Sequence, residues 1–205
     1  MIKGLSKKEK LLQIAARHFS KHGYEGVSLD AIAKEVGITK AAIYYHFKDK
    51  EALYEAVLLF RLENLIVHIK ASITAEEPEE KLRQYIESFG AFLEEYPCFA
   101  AILAHEFADD GKHMSEKAVQ TLAQPLGTLT AILNEGIEQR VFTIQNPFAV
   151  QLMIVSSFVL HQTTTGLRKR VAHCVQEYAI IPEPDIKDLA KTLATKIIKA
   201  IRKEQ

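Results

Sequence analysis

Two short stretches between Val27 and Lys50 repeat apolar residues with helical spacing. In the first, the apolar positions lie three or four residues apart, which places them on one face of a helix. These positions are Leu29, Ile32, Ala33 and Val36. Ser28 precedes them as a candidate N-cap, and Gly37 follows where the chain must leave the helix with positive φ. The pattern predicts a helix that ends at Gly37, with Ile38 as an apolar plug before the next one.

The second stretch predicts a helix from its N-cap Thr39 to Phe47. Its inward side chains are Ala42, Ile43 and Phe47. Its other side chains face outward, wholly or in part: Lys40, Ala41, Tyr44, Tyr45 and His46. So short a helix is unstable alone and needs a platform. Flanking helices offer one through Leu11, Ile14, Ala15, Phe19, Leu53, Tyr54 and Val57. We therefore expect a three-helix unit and a connecting helix from Asp49 to about Ile73.

Helical periodicity continues along the rest of the chain, and prolines mark many of the joints. Helices are predicted over residues 78–96, 97–107, 114–140, 147–169 and 186–201, with a kink at Pro125 and an irregular connection over 172–184. Strand-like alternation is absent from the sequence. The predicted fold class is all-α with about nine helices. We expect a helix-turn-helix domain over residues 5–65, with the motif itself at 28–47, and a second helical domain over 66–205.

The last predicted helix carries a regular apolar stripe. Its members are Ile186, Leu189, Ala190, Leu193, Ala194, Ile197, Ile198 and Ile201. The preceding helix is apolar nearly all round, which is typical of a helix buried on several sides. We expect these two helices to pack together and, since one chain offers little cover for both, to form a four-helix interface in a homodimer through residues 147–169 and 185–203. The alternative is that the stripe closes an intramolecular core.

Charge is distributed unevenly along a chain whose formal net charge is zero. Residues 1–50 contain ten Lys/Arg and five Asp/Glu, so the remaining residues carry a matching negative excess. A cationic N-terminal segment attracts a polyanion such as DNA, with a strong salt dependence. The same excess also fits an ordinary solvated surface.

Composition favours an ordinary globular protein, with 48% apolar and 25% charged residues. The longest apolar run, around 148–160, is shorter than the ~20 residues that a membrane span needs, and the N-terminal lysines precede an amphipathic stretch. We therefore expect a cytoplasmic protein. Its two cysteines, Cys98 and Cys174, lack zinc-type spacing and fit either reduced, packed thiols or a redox-sensing pair.

The N-terminal third contains four closely spaced residue patterns that together match a known protein family. They read Ala15-Ala16-x-x-Phe19, Gly23-Tyr24-x-Gly26-Val27-Ser28, Ile32-Ala33-x-x-Val36-Gly37-Ile38-Thr39 and Ile43-Tyr44-Tyr45-His46-Phe47-x-x-Lys50-x-x-Leu53. This segment, about residues 5 to 65, resembles the DNA-binding domain of the TetR family of bacterial transcriptional regulators. The resemblance implies a homodimeric repressor that binds a palindromic operator, with a C-terminal helical domain for ligand binding and dimerisation.

The resemblance also implies roles in DNA binding. The start of the second helix meets base edges in helix-turn-helix docking, so Lys40 can donate to guanine and Ala41 can contact a thymine methyl group. Tyr44, His46 and Lys50 match family positions that contact the DNA backbone. The polar N-caps Ser28 and Thr39 belong to the same predicted surface.

Two points of this predicted surface differ from a simple family pattern. Tyr45 fits two placements, one on DNA and one with its ring wedged against the connecting helix. Some family members carry a polar or basic reader in the supporting helix, where this chain has Asp30 and Ala31. We therefore expect no extra base contact from that helix.

Members of the family hold a small molecule among the middle helices. Candidate lining residues are Phe89, Phe92, Tyr96, Leu103, Phe107, Met153, Phe158, His161 and Gln162, although each also fits an ordinary core. The connecting helix is the expected lever by which a ligand would misplace the DNA-reading helices. No cofactor is expected.

Two other classes of function stay open. One is an enzyme, because His105, Glu106, Asp109, Asp110 and His113 cluster in sequence, although no catalytic motif accompanies them. The other is a DNA-binding protein without a small-molecule inducer, which answers to a protein partner or to oxidation of its cysteines.

Overall fold

The computed structural model describes residues 6–175 and 182–204. Over these residues the fold is all-α, as predicted, with one isolated bridge between Phe142 and Arg202. The described helices are α1 (Lys7–His22), α2 (Leu29–Val36), α3 (Lys40–His46), α4 (Lys50–Ser72), α5 (Pro78–Glu95), α6 (Pro97–Ala108), α7 (Glu116–Glu138), α8 (Pro147–Thr163), α9 (Thr165–His173) and α10 (Ile186–Ile201). The described part therefore holds ten helices, where the sequence predicted about nine.

The helices form two compact units. The first contains the chain up to Asn64 together with Cys98–Leu122, so it holds α1 to α3, α6 and the beginnings of α4 and α7. The second contains Leu65–Pro97 and the chain from Ala123 onward, so it holds α5, α8, α9 and α10 with the ends of α4 and α7.

The first unit is built around the predicted platform. All seven predicted platform residues are buried in one apolar core with Ile32 and Ile43. Ser28 and Thr39 act as N-caps, as predicted, since their side chains accept amide hydrogen bonds at 3.2 Å. At the start of α1, Ser6 and Glu9 form a reciprocal capping box. Local capping and the shared core together fix the short helices α2 and α3.

The turn between α2 and α3 depends on Gly37. Its φ of 81° and ψ of 35° are left-handed values that a residue with a Cβ adopts only with strain. The amides of Gly37 and Ile38 both donate to the Ala33 carbonyl at 3.0 Å. The prediction that Ile38 plugs this turn is wrong, because backbone hydrogen bonds close the turn and leave the Ile38 side chain 36% exposed.

The second unit packs α10 mainly against α5 and less against α8. Six of the eight stripe residues of α10 are buried there, and Leu189 and Leu193 are half-buried. Gly90 permits a close approach, because a Cβ at this position would lie 3.0 Å from the Phe158 ring and 3.2 Å from Ala190 Cβ. The expected pairing of the stripe with α8 is therefore present but minor, because α10 packs mainly against α5.

The end of α8 also differs from the prediction of one helix over 147–169. The helix stops at Thr163, and α9 starts at Thr165. The hydroxyl groups of Thr163, Thr164 and Thr165 donate to carbonyls four residues earlier, a local competition that bends or interrupts helices. Helix α9 extends to His173, into the predicted irregular segment 172–184; residues 176–181 of that segment lie outside the described residues.

None of the helices in the described ranges combines the length and the hydrophobicity required to cross a bilayer.

Two glycines of α7 offer a matched stability test. A Cβ on Gly136 would lie 2.1 Å from the Phe142 ring, whereas a Cβ on Gly127 would meet no atom within 4 Å. We expect Gly136→Ala to lower the free energy of unfolding by about 1–3 kcal/mol through overpacking. Gly127→Ala should raise it by up to about 1 kcal/mol through helix propensity. Urea denaturation followed by circular dichroism measures both, and equal effects of the two variants would contradict this packing.

Candidate nucleic-acid interface

Helix α3 is held mainly by two buried side chains, with Ala42 half-buried beside them. Ile43 is fully buried and Phe47, at the C-cap, is nearly so. The predicted outward residues Lys40, Ala41, Tyr44, Tyr45 and His46 are all exposed, as is the N-cap Thr39. This seven-residue helix therefore offers a continuous polar and aromatic face to solvent.

Tyr45 is the most open of these side chains, with 86% of its surface exposed. The placement in which its ring wedges against the connecting helix is wrong, because such a ring would be covered. Its nearest aromatic neighbour is His46, with the ring centroids 5.1 Å apart. Two aromatic rings thus stand side by side on the exposed face of α3.

Lys40 has a partner that the sequence analysis did not identify. Its ammonium donates to Asp30 Oδ2 at 2.8 Å, which joins the start of α3 to the first turn of α2. The hydrogen bond and the negative charge of Asp30 raise the pKa of Lys40 above its ordinary value, so the side chain stays cationic. Ser28, whose hydroxyl accepts from the Asp30 amide, is also exposed. The two helix starts therefore form one charged, exposed corner.

The other cations differ in how freely they face solvent. Lys50 is half-buried: its ammonium donates to the Glu25 carbonyl at 3.2 Å and lies 4.6 Å from the centre of the Tyr24 ring. Lys48, just after α3, is exposed and was not among the predicted contacts. From the sequence, Lys48 could have been identified as a candidate only by its position between Phe47 and the cap of the next helix. Lys48 is thus an additional candidate for a phosphate contact.

A cluster of buried polar side chains lies inside the first unit. Tyr54 Oη donates to Glu106 Oε1 at 2.5 Å, and both side chains are buried. Burial raises the pKa of Tyr54, and the hydrogen bond to Glu106 raises it further, so the hydroxyl remains a donor. Glu106, one of the clustered residues that left an enzyme open, is an internal hydrogen-bond partner between α4 and α6.

His113 extends this cluster from the turn after α6. Its ring stacks on Tyr24 with the centroids 4.3 Å apart, and its nitrogens lie 3.5 Å from Glu25 and 3.7 Å from Glu106. Ser115, at the start of α7, donates to the Glu55 carboxylate. Within the described residues no group of three His, Cys, Asp or Glu side chains is arranged to hold a metal ion. The cluster thus ties α6 and α7 to the helix-turn-helix by packing and hydrogen bonds.

The predicted ligand-lining residues are divided between the two units. Leu103 and Phe107 belong to the first, where Leu103 is buried and Phe107 is exposed. The other seven belong to the second. There, Phe89, Phe92 and Phe158 are buried, Tyr96, His161 and Gln162 are half-buried, and Met153 is exposed. Phe89 and Phe158 stack with their rings 6.3 Å apart, which is ordinary core packing.

His161 and Gln162 form the polar end of this set. The Gln162 amide donates to the Leu93 carbonyl at 2.8 Å, and its own Oε1 is buried without a hydrogen-bond partner. Burial lowers the pKa of His161, and the nearby Arg168 lowers it further, which favours the neutral imidazole. His161 Nδ1 lies 3.4 Å from an Arg168 guanidinium nitrogen, so the two neighbouring polar residues have different surroundings.

The two cysteines are free thiols in different units. Cys98 is half-buried in the first, and Cys174 is exposed in the second.

Two family models match the chain. Residues 11–57 match the model described as "Bacterial regulatory proteins, tetR family", and residues 78–171 match "Tetracyclin repressor-like, C-terminal domain". Together these segments cover more than half of the chain. The chain belongs to the TetR family. It is a DNA-binding transcriptional regulator, and residues 11–57, which match the N-terminal family model, include α2 and α3.

Relatives of known role agree with the TetR assignment. The chain is 34% identical over 85 residues to the transcriptional activator FasR of Mycolicibacterium smegmatis, and 50% identical over 48 residues to IcaR of Staphylococcus aureus, the negative regulator of the biofilm operon icaADBC. These matches span 41% and 23% of this chain, but only 39% of FasR and 26% of IcaR. Both relatives are regulators, which agrees with the expectation that this protein is not an enzyme.

The solved structure of another transcriptional regulator matches nearly the whole chain. FadR of Bacillus subtilis, crystallised with stearoyl-CoA, covers 94% of this chain and 98% of its own, with a TM-score of 0.70 and 18% identity. At this identity the match establishes the fold alone, and it includes helices in both compact units.

Proposed function

We propose that this regulator is a homodimeric repressor that binds a palindromic operator and is released by a small molecule. The observation that carries the proposal is the exposed face of α3, where anchoring by Ile43 and Phe47 leaves Lys40 and its neighbours turned outward. Lys40 donates to guanine and Ala41 contacts a thymine methyl group, while Tyr44, His46 and Lys50 bind the DNA backbone. Ser28, Thr39 and Tyr45 complete the contact surface.

Repression is the expected direction of control. The IcaR match has the higher identity, 50% over 48 residues, and IcaR is a negative regulator. FasR, which matches over a longer stretch at lower identity, is an activator. We favour repression because a tightly bound dimer on an operator excludes other proteins from that DNA, whereas activation needs an additional contact with a partner.

A dimer is needed because α3 is short. A single recognition helix contacts few bases, whereas two such helices about 34 Å apart read both halves of a palindrome from one side of the DNA. The support in this chain is α8, which exposes a set of large apolar side chains: Phe148, Leu152, Met153 and Leu160. Helix α10 contributes less than the sequence suggested, because most of its apolar stripe is covered by α5.

The ligand proposal rests on the second unit. The unpaired Gln162 Oε1 and the neutral His161 supply a polar end to an otherwise apolar set of side chains. FadR, which shares the fold, was crystallised with an acyl-CoA. Helix α4 contributes residues to both compact units, so a ligand that favours one position of α4 shifts the DNA-binding equilibrium.

The operator itself is the first test. Purified full-length protein should enrich an inverted repeat from a random DNA library, with half-site centres one helical turn or a multiple of it apart. Affinity should fall steeply as salt rises, because phosphate contacts release counterions. His46→Ala should weaken binding to all sequences by a similar factor. Enrichment of no sequence by the wild-type protein would refute the proposed function.

The interface is tested by a charge on α8. Leu152 is 60% exposed in the single chain, and Leu152→Glu should convert a dimer into monomers in sedimentation velocity because a buried carboxylate is costly. Ile144, which is 87% exposed and lies outside α8, provides the control Ile144→Glu, which should remain dimeric. A monomeric wild-type protein, or a dimeric Leu152→Glu variant, contradicts this interface.

The effector is tested by measuring whether a compound changes both the Tm of the protein and its operator affinity. We expect that among long-chain acyl-CoA thioesters, stearoyl-CoA included, or other apolar metabolites, at least one raises the Tm of the protein and lowers its operator affinity. Gln162→Leu should bind that ligand more weakly, and without the ligand its affinity for the operator should be unchanged. The release model fails if every compound that raises Tm leaves operator binding unchanged.

A further inference from the structure

The Lys40–Asp30 pair is an unusual feature for a surface that binds a polyanion. The carboxylate of Asp30 is exposed by 66% and the Lys40 side chain by 44%, so the pair is open to a ligand. An exposed ion pair adds little to stability. The first turn of α2 is a favourable position for the Asp30 carboxylate, but this does not account for its pairing with Lys40 on α3. A carboxylate near phosphates is repelled by them, and hydrogen bonds accepted from the DNA bases would offset this repulsion.

The edges of a G·C base pair supply suitable partners. In the major groove guanine presents two adjacent acceptors, N7 and O6, and cytosine presents the N4 amino donor beside them. The O6 and N4 atoms are themselves joined by a hydrogen bond, so they lie about 2.9 Å apart. The Lys40 Nζ and Asp30 Oδ2 atoms lie 2.8 Å apart. Donor and acceptor on the protein thus have the spacing of acceptor and donor on the base pair.

Hydrogen-bond capacity is sufficient on both sides. An ammonium has three N–H donors, and a carboxylate has about four lone-pair sites. Their mutual hydrogen bond uses one of each, which leaves two donors on Lys40 for N7 and O6 and further acceptor sites on Asp30 for cytosine. An A·T pair presents acceptor, donor and acceptor in that order. On an A·T pair, Asp30 accepts from the donor in the middle, and the Lys40 ammonium can then reach only one of the two flanking acceptors.

We propose that Asp30 is a specificity-determining residue that reads one G·C base pair per half-site jointly with Lys40. This inference rests on the proposed operator binding by α3. It reverses the expectation that the supporting helix α2 makes no base contact. Asp30 sets the position of the Lys40 ammonium and adds the acceptor that a lone lysine lacks, so the pair distinguishes G·C from A·T and from the reversed C·G.

Single-base-pair substitutions in the selected operator test this reading. Affinities of the wild type, Asp30→Ala, Lys40→Ala and the double variant are measured by fluorescence anisotropy at fixed salt. Each single variant should lose about tenfold or more of the discrimination at one and the same G·C position. The double variant should lose little more than either single variant, because the two side chains act as a unit.

A matched variant separates base reading from a general charge effect. Glu35→Ala removes one carboxylate from the same helix, where Glu35 pairs with Arg17 and His18 instead of Lys40. It should strengthen or leave unchanged the binding to every sequence and preserve all base preferences. Thermal unfolding of each variant confirms that it is folded.

The remaining outcomes each decide the question. If Asp30→Ala tightens binding on all sequences and keeps every base preference, Asp30 is only a repulsive charge and the inference is wrong. It is equally wrong if the position affected by both variants prefers A·T, or if the two variants affect different positions. If the wild type selects no sequence at all, the proposed function fails instead.

Discussion

The burial of Ile43 and Phe47 is the constraint on which the exposed face of α3 depends. Helix α3 has only seven residues, which is too short for a stable isolated helix. Its orientation is therefore set by these two anchors and by the Thr39 cap. Burying each anchor contributes about 1.5–3 kcal/mol relative to exposure, which is comparable to the cost of ordering a few residues. Every exposed side chain of α3 inherits its direction from this packing.

The Tyr54–Glu106 contact imposes a second constraint on the same unit. A buried carboxylate is costly unless it is hydrogen-bonded, so α6 has to keep its position against α4 for Glu106 to remain paired. Glu106 Oε2 and the His113 nitrogens are buried without hydrogen-bond partners, which makes this the least fully satisfied part of the unit. The Tyr54–Glu106 hydrogen bond therefore depends on the position of α4.

Most of the helix-turn-helix could be predicted because its determinants are local. Apolar spacing gave the buried face of α2, and the cap residues and Gly37 gave the ends of the helices. The stripe on α10 was also visible, but its partner was not: periodicity shows which face is apolar and says nothing about what covers it. The break at Thr164 escaped prediction although Gly166 follows two residues later, because a single glycine inside a helical pattern is tolerated and does not by itself mark a helix end.

The parts of the site that depend on contacts across the fold could not be predicted. Glu106 is a charged residue in a sequence full of charges, and only the approach of Tyr54, 52 residues earlier, shows why it is buried. Asp30 and Lys40 lie ten residues apart on different helices, so the pair exists only because Gly37 turns α3 back beside α2. The cationic excess of the first 50 residues was evident from the sequence, whereas its use was not.

The distribution of charge bears on how affinity and selectivity are divided in this regulator. Positive charge attracts DNA of any sequence, and that attraction weakens with salt. A surface made only of cations would bind strongly everywhere, and competing sites in a genome would then hold most of the protein. The Asp30 carboxylate, placed beside Lys40, lowers the attraction of this surface to phosphates in general. It is compatible with tight binding only where a base amino group meets it. In the proposed reading, Asp30 therefore lowers the affinity for DNA of any sequence and raises the selectivity for the operator.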